Sequence, residues 1–189
     1  MLVVATLTAA RRVTGSWSAW PALPVALGAL PVTAALVASG VVPAQPVSVV
    51  PVAGILVGNA MTATSLSGRR ALDALAARRG ELEAALSLGL MPRPAAIFVS
   101  RDDAKLALVP GLDQTRTVGL VTLPGAFVGV LLGGGSPLQA AAVQLLVLVA
   151  LLLVQSVAVA GTLELVARGR LVRRARGSRQ PRPIGRATR

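Results

Sequence analysis

Apolar blocks long enough to cross a bilayer alternate with a few charged segments along this chain. Four such blocks stand out, at residues 22–42, 47–67, 117–134 and 139–163. A helix of 21 residues, the length of the first block, is about 31 Å long, against a hydrocarbon core of about 30 Å. Residues 1–10 are apolar but too short to span. They read as a partial N-terminal helix, because Arg11 and Arg12 follow the apolar run instead of preceding it, as a signal peptide would require. Short uncharged turns separate the first block from the second (Pro43, Ala44, Gln45, Pro46) and the third from the fourth (Gly135, Ser136, Pro137). The pattern predicts an all-α fold: a polytopic membrane helical bundle of about four transmembrane helices plus the partial N-terminal one, over residues 1–167, with a helical loop at 69–116.

The loop is the one long polar segment between apolar blocks. Leu72, Leu75, Ala76, Leu82, Ala85 and Leu86 recur at helical spacing, which predicts a helix over 69–88. Gly89 is its natural stop, with Pro92 and Pro94 in the turn that follows. A second helix is expected over 95–108, ended by Pro110 and Gly111.

The apolar blocks carry their own irregularities. Pro24 and Pro31 should kink the first, Pro51 interrupts the second, and Pro124 with Gly125 breaks the third. A broken helix at membrane depth faces protein or a water-filled path rather than lipid. Gly54 and Gly58 form a small-residue pair that lets helices approach closely. Asn59, in mid-block, has two readings of equal weight: glue between helices, or a residue lining a pathway.

Composition sharpens this picture. The 189 residues are 54% hydrophobic and only 2% aromatic and 14% charged, and the charge is segregated. All 19 basic residues fall in three places: Arg11 and Arg12, the 69–116 loop, and the stretch from Arg168 onward. The net charge of +12 could suggest nucleic acid, but most of it sits in that last stretch. A basic, Arg-, Gly- and Pro-rich tail (168–189) after a membrane helix is a topology and lipid signal, expected to be disordered, so membrane lipids and not nucleic acid are the expected partners. By the positive-inside rule both termini and the central loop are cytoplasmic, and the two uncharged turns external. With no cysteine and no histidine, disulfides, the usual zinc and haem ligand sets and Ser-His-Asp chemistry are excluded. The chain is therefore not expected to be an enzyme.

Glu83, Ala84 and Ala85 are followed by Gly89 at the spacing EAAxxxG. This resembles the cytoplasmic loop of ABC-transporter permeases, where a short coupling helix sits in a groove of the ATPase subunit. Alanines permit close docking, the glutamate offers a charged anchor, and glycine turns the chain back. Further along the longer pattern the positions hold Val99, Arg101 and Asp102, of which only Val99 is similar. Longer stretches narrow the resemblance: VPVAGILVGNAMTATSL (50–66), LSLGLMPRPA (86–95), ALVPGLDQTRTVGLVTLPGAFVGVLLGGGSPLQA (107–140) and the later Gln144. Together they resemble the FetB-like family of iron-export ABC permeases, over roughly residues 45–165.

That resemblance implies a permease in a bacterial inner membrane, paired with a separate ATPase subunit that binds the ATP, working as a homodimer or with a paired permease, and exporting iron or other metals. The chain itself binds no cofactor in this reading. Family members carry helices upstream, so further apolar spans are expected ahead of Met1, and the chain alone is expected to be poorly stable. The residues leave the metal site unknown. Hard cations want several oxygen ligands, and the acid nearest a span is Glu164. Candidate pathway and hinge residues are Pro51, Asn59, Met61, Thr62, Pro124, Gly125 and Gln144, with Thr64 and Gln155 as further donors. Two other readings remain open at this point: an ABC importer or lipid permease, and a non-transporting membrane scaffold. The proline-interrupted spans and Asn59 favour transport.

Overall fold

The computed structural model describes residues 20–40, 46–117, 125–132 and 134–171. Among these residues there is helix and no strand. The elements in order are α1 (Ala22–Ala38), α2 (Pro46–Ala77), α3 (Arg79–Ser87), α4 (Pro92–Lys105), a 3-10 turn (Leu106–Leu108), α5 (Val109–Thr117), α6 (Gly125–Leu132) and α7 (Pro137–Ala167). The expected N-terminal partial helix, the Pro43–Gln45 part of the first turn, Pro124 and the tail beyond Leu171 lie outside the described residues.

The long helices α1, α2 and α7 pack around one apolar core. Val25, Ala29 and Leu36 of α1 meet Leu56, Val57, Ala60 and Ala63 of α2 and Ala150, Leu151, Val154, Ala158 and Val159 of α7. Gly28 lets α1 come close to α7, since a Cβ there would stand 2.9 Å from the Val154 carbonyl oxygen. Gly54 and Gly58 behave differently from the expectation. A Cβ on either meets nothing within 4 Å, so this small-residue pair brings no helix of the described chain closer. A second, smaller cluster (Ala71, Ala104, Leu165, Val166, Leu171) ties the ends of α2 and α7 to α4.

Several boundaries move. Helix α1 stops at Ala38, 17 residues long, because Ser39 and Gly40 close it: the Ser39 hydroxyl donates to the Leu36 carbonyl at 3.0 Å and Gly40 takes φ +72°. The expected separate helix over 69–88 is corrected. Helix α2 runs for 32 residues, through Pro51 and past Gly68, and breaks only at Arg78. Ala71 and Ala74 bury against neighbouring helices, which outweighs the cost of one interior glycine, about 1 kcal/mol. Pro92 and Pro94 begin α4 rather than preceding it, since a first-turn position needs no N–H partner. Pro110 and Gly111 do not end a helix; they lie in the first turn of α5. Ala107, expected in the cytoplasmic loop, is instead buried in the main core.

Helix α7 matches its block and extends it to 31 residues. Ser136 and Gln139 cap it reciprocally: the Gln139 N–H donates to Ser136 Oγ at 3.2 Å and the Ser136 N–H to Gln139 Oε1 at 3.0 Å. Four spans were expected. Among the described residues α7 is the one helix both long and apolar enough to cross a membrane, and α1 is a shorter apolar helix.

Candidate functional site

The site is the hairpin of α3 and α4 and its attachment to the bundle. Nine residues of α3 end in a complete Schellman motif: the Leu90 N–H donates to the Ala85 carbonyl at 3.1 Å and the Gly89 N–H to the Leu86 carbonyl at 3.0 Å. This requires Gly89 at φ +90°, where a side chain carries a penalty of about 1–2 kcal/mol. Gly89→Val is therefore expected to displace the turn, while Gly89→Asn, which tolerates left-handed backbone, should be mild. Protease sensitivity of the 86–91 turn in membranes reads the difference; equal sensitivity of the two variants would count against the motif's importance.

The EAA residues face different ways. Ala85 is buried, whereas Glu83 and Ala84 are exposed. Glu83 accepts from Arg79 Nε at 3.2 Å, one turn back. Around Gly89 the structure shows a feature absent from the sequence reading. Leu88 is 83% exposed, Met91 74% and Phe98 71%, with Leu86 and Leu90 also exposed. The signal lay in LSLGLM, four large apolar residues around a glycine inside a polar loop.

Two charged contacts hold α4, and a third braces the acid that one of them uses. Arg78, at the break between α2 and α3, hydrogen bonds Asp103. Arg93 forks onto Glu164 near the end of α7, its Nε donating to Oε1 at 2.7 Å and its terminal nitrogen to Oε2 at 2.8 Å. Arg168 Nε reaches the same Oε1 at 2.6 Å. The hydrogen bond to Glu164 raises the Arg93 pKa further above its ordinary value. Outside the helices' core, Lys105 and Arg101 hold the Asp102 carboxyl below its usual range, the hydrogen bond from Lys105 being the main cause.

The candidate pathway residues are only partly brought together. Asn59, Met61 and Thr62 share the middle of α2, and Pro51 lies two turns before them. Both ends of the Asn59 amide are used: Oδ1 accepts from Gln155 Nε2 at 3.0 Å and Nδ2 donates to the Ile55 carbonyl at 3.0 Å. Thr62 donates to the Gly58 carbonyl at 3.0 Å. Gln144 is buried on α7, its Oε1 without a partner among the described residues. It stands about 16 Å along the helix from Gln155 at about 1.5 Å per residue, so it does not join Asn59. Gly125 opens α6. Among the described residues no cluster of three or more His, Cys, Asp or Glu is placed to hold a metal ion.

Among the described residues the fold is all-helical, with one helix long and apolar enough to cross a membrane and a helical hairpin attached near its end. The chain belongs to the family described as Uncharacterised protein family (UPF0014), which matches residues 1–170. It is 44% identical to the rice (Oryza sativa subsp. japonica) UPF0014 membrane protein STAR2 over 115 residues, 61% of this chain and 40% of that protein. It is 41% identical to Protein ALUMINUM SENSITIVE 3 of Arabidopsis thaliana over 113 residues, 60% of this chain and 41% of that one. Similarity to "Probable iron export permease protein FetB" of Escherichia coli (strain K12) is 35% identity over 123 residues, 65% and 48% of the two chains. The match thus spans less than half the length of each of these relatives. No solved structure matches.

Proposed function

We propose that this chain is the membrane permease subunit of an ABC transporter that exports a metal ion, iron in the first instance, using ATP hydrolysed on a separate ATPase subunit. The observation that carries the reading is the α3–α4 hairpin. It presents large apolar side chains around the EAA segment and is fixed to α7 just after its turn by Arg93 and Glu164. Exposed apolar surface in a polar loop marks an interaction site, and a docking element must be attached to what it moves. Glu83, Ala84 and Gly89 lie on this surface with Ala85 buried beneath it, and Leu88, Met91 and Phe98 extend it. The permease works as a homodimer or with a paired permease chain. As cargo, the metal would meet amide and hydroxyl oxygens of the bundle, consistent with transient contact rather than tight holding. The name of the Escherichia coli relative supports iron; the name of the Arabidopsis relative includes aluminium sensitivity, which keeps other metals within the proposal.

Co-purification of the chain with an ABC ATPase encoded beside it is the direct test. A membrane-inserted chain that retains no such ATPase, with no change in cellular iron on its deletion, would overturn the reading. Topology is part of the same proposal: both termini and the hairpin cytoplasmic, in a bacterial inner membrane. Reporter fusions at Ala44 and Ser136 are expected to read external, and those at Arg79 and Arg179 cytoplasmic, because neither turn carries charge. A cytoplasmic signal from Ala44 would break this arrangement.

A further inference from the structure

Three segments meet at one point inside the bundle. On α7, Gln155 is 5% exposed, and its Nε2 donates to Asn59 Oδ1 on α2 at 3.0 Å. Its other side lies against the first turn of α5. A Cβ built on Gly111 would stand 2.0 Å from Gln155 Oε1, 2.8 Å from Cδ and 2.9 Å from Nε2, far inside ordinary contact. Gly111 does not have a positive φ. Space, and not backbone conformation, is what demands a glycine there. With Gln155 in this position, no other residue fits at 111.

The surroundings point to a seam that can open. Thr64 and Ser67 continue the stripe of Ala60 and Ala63 along α2, the alanines packing in the core shared with α7. Thr64 Oγ1 and Ser67 Oγ are completely buried, with no partner among the described residues. Buried unpaired hydroxyls disfavour the closed state they sit in, and water would satisfy them. The chain from α4 reaches Gly111 through the 3-10 turn, where Ala107 is buried in the same core. A displacement of α4 therefore acts on Gly111 within a few residues.

We propose that Gly111, Gln155 and Asn59 form a latch between the hairpin and the α2–α7 seam. While α5 is seated, the Gly111 backbone confines the Gln155 side chain to the rotamer that bonds Asn59. When the hairpin draws α5 away, Gln155 is free to turn, the interhelical bond is lost, and the seam bearing Thr64 and Ser67 opens to water. What opening achieves rests on the permease reading. The latch itself does not, and its test uses neither ATPase nor cargo.

The sequence has no cysteine, so Thr64→Cys in the full chain supplies a single reporter thiol. Its labelling by a water-soluble maleimide is followed in membrane vesicles. The parent should label slowly. Gly111→Ala should raise the rate at least about tenfold, because the added carbon drives Gln155 off Asn59. Gln155→Ala should also raise it, and adding Gly111→Ala to Gln155→Ala should change it less than about twofold, since the clash is gone. Labelling unaffected by Gly111→Ala, or raised equally in both backgrounds, overturns the latch. If Gly111→Ala fails to accumulate, membrane yield takes over as the readout. A Gly111→Ala, Gln155→Ala chain recovering to the Gln155→Ala yield supports the latch, and one as poor as Gly111→Ala overturns it.

Discussion

Replacing Leu88 and Met91 together by aspartate is expected to weaken association with the ATPase subunit proposed above by at least about 100-fold, with membrane insertion unchanged. Both side chains are mostly exposed beside Gly89, at 83% and 74%. Burying a leucine or methionine contributes about 1.5–3 kcal/mol, and a 100-fold loss corresponds to about 2.7 kcal/mol. The two side chains together supply that, before the added cost of forcing carboxylates into an apolar contact. Glu83→Lys should do less. Glu83 already shares a surface pair with Arg79 one helical turn away, and such pairs contribute little in water. Its loss is expected to weaken association less than about fivefold. Titrating the detergent-solubilised chain against labelled ATPase measures both. A double aspartate variant binding within threefold of the parent would remove this surface from the interface.

How far the sequence reveals this site depends on which forces set each part. Helix α7 is legible because an uninterrupted apolar run and a Ser-x-x-Gln cap agree. The end of α1 is hidden, because Val41 and Val42 continue the apolar pattern past the Ser39–Gly40 stop. The length of α2 is hidden for the opposite reason. Hydropathy changes at Arg69, but alanine, leucine and arginine are all good helix formers, so the helix does not register the change. Gly89 reads correctly as a stop because its role is local. Gly111 does not, because its role is set by a side chain 44 positions away. Asn59 and Gln155 are both recognisable as polar residues in apolar blocks. Periodicity places each on a face, yet only packing chooses Gln155 and not Gln144 as the partner. The exposed apolar residues near Gly89 are visible in the sequence, but a nine-residue helix and a turn carry too little period to say that they face outward.

Glu164→Arg is expected to release the hairpin from the bundle without unfolding it. In the native chain one carboxylate holds two guanidinium groups, the fork from Arg93 and the single bond from Arg168. Arginine at 164 leaves three cations at the junction of α4 and α7 and no acid among them. The contacts are partly exposed, so their effect on global stability is small. The loss falls on docking, because Arg93 is the residue that joins the start of α4 to the end of α7. Trypsin cleavage at the loop arginines in inside-out vesicles should rise by on the order of tenfold, whereas association with the ATPase should persist through the Leu88 and Met91 surface. In the permease proposed above, ATP hydrolysis would then continue with transport lost, since the partner would move a hairpin no longer attached to α7. Adding Arg93→Glu to Glu164→Arg recreates the pair with its charges exchanged. Recovery should be partial, because Arg168 then faces a like charge one turn away. If the double variant is cleaved as fast as Glu164→Arg alone, the hairpin is held by its apolar contacts with α2 and α7 and not by this ion pair.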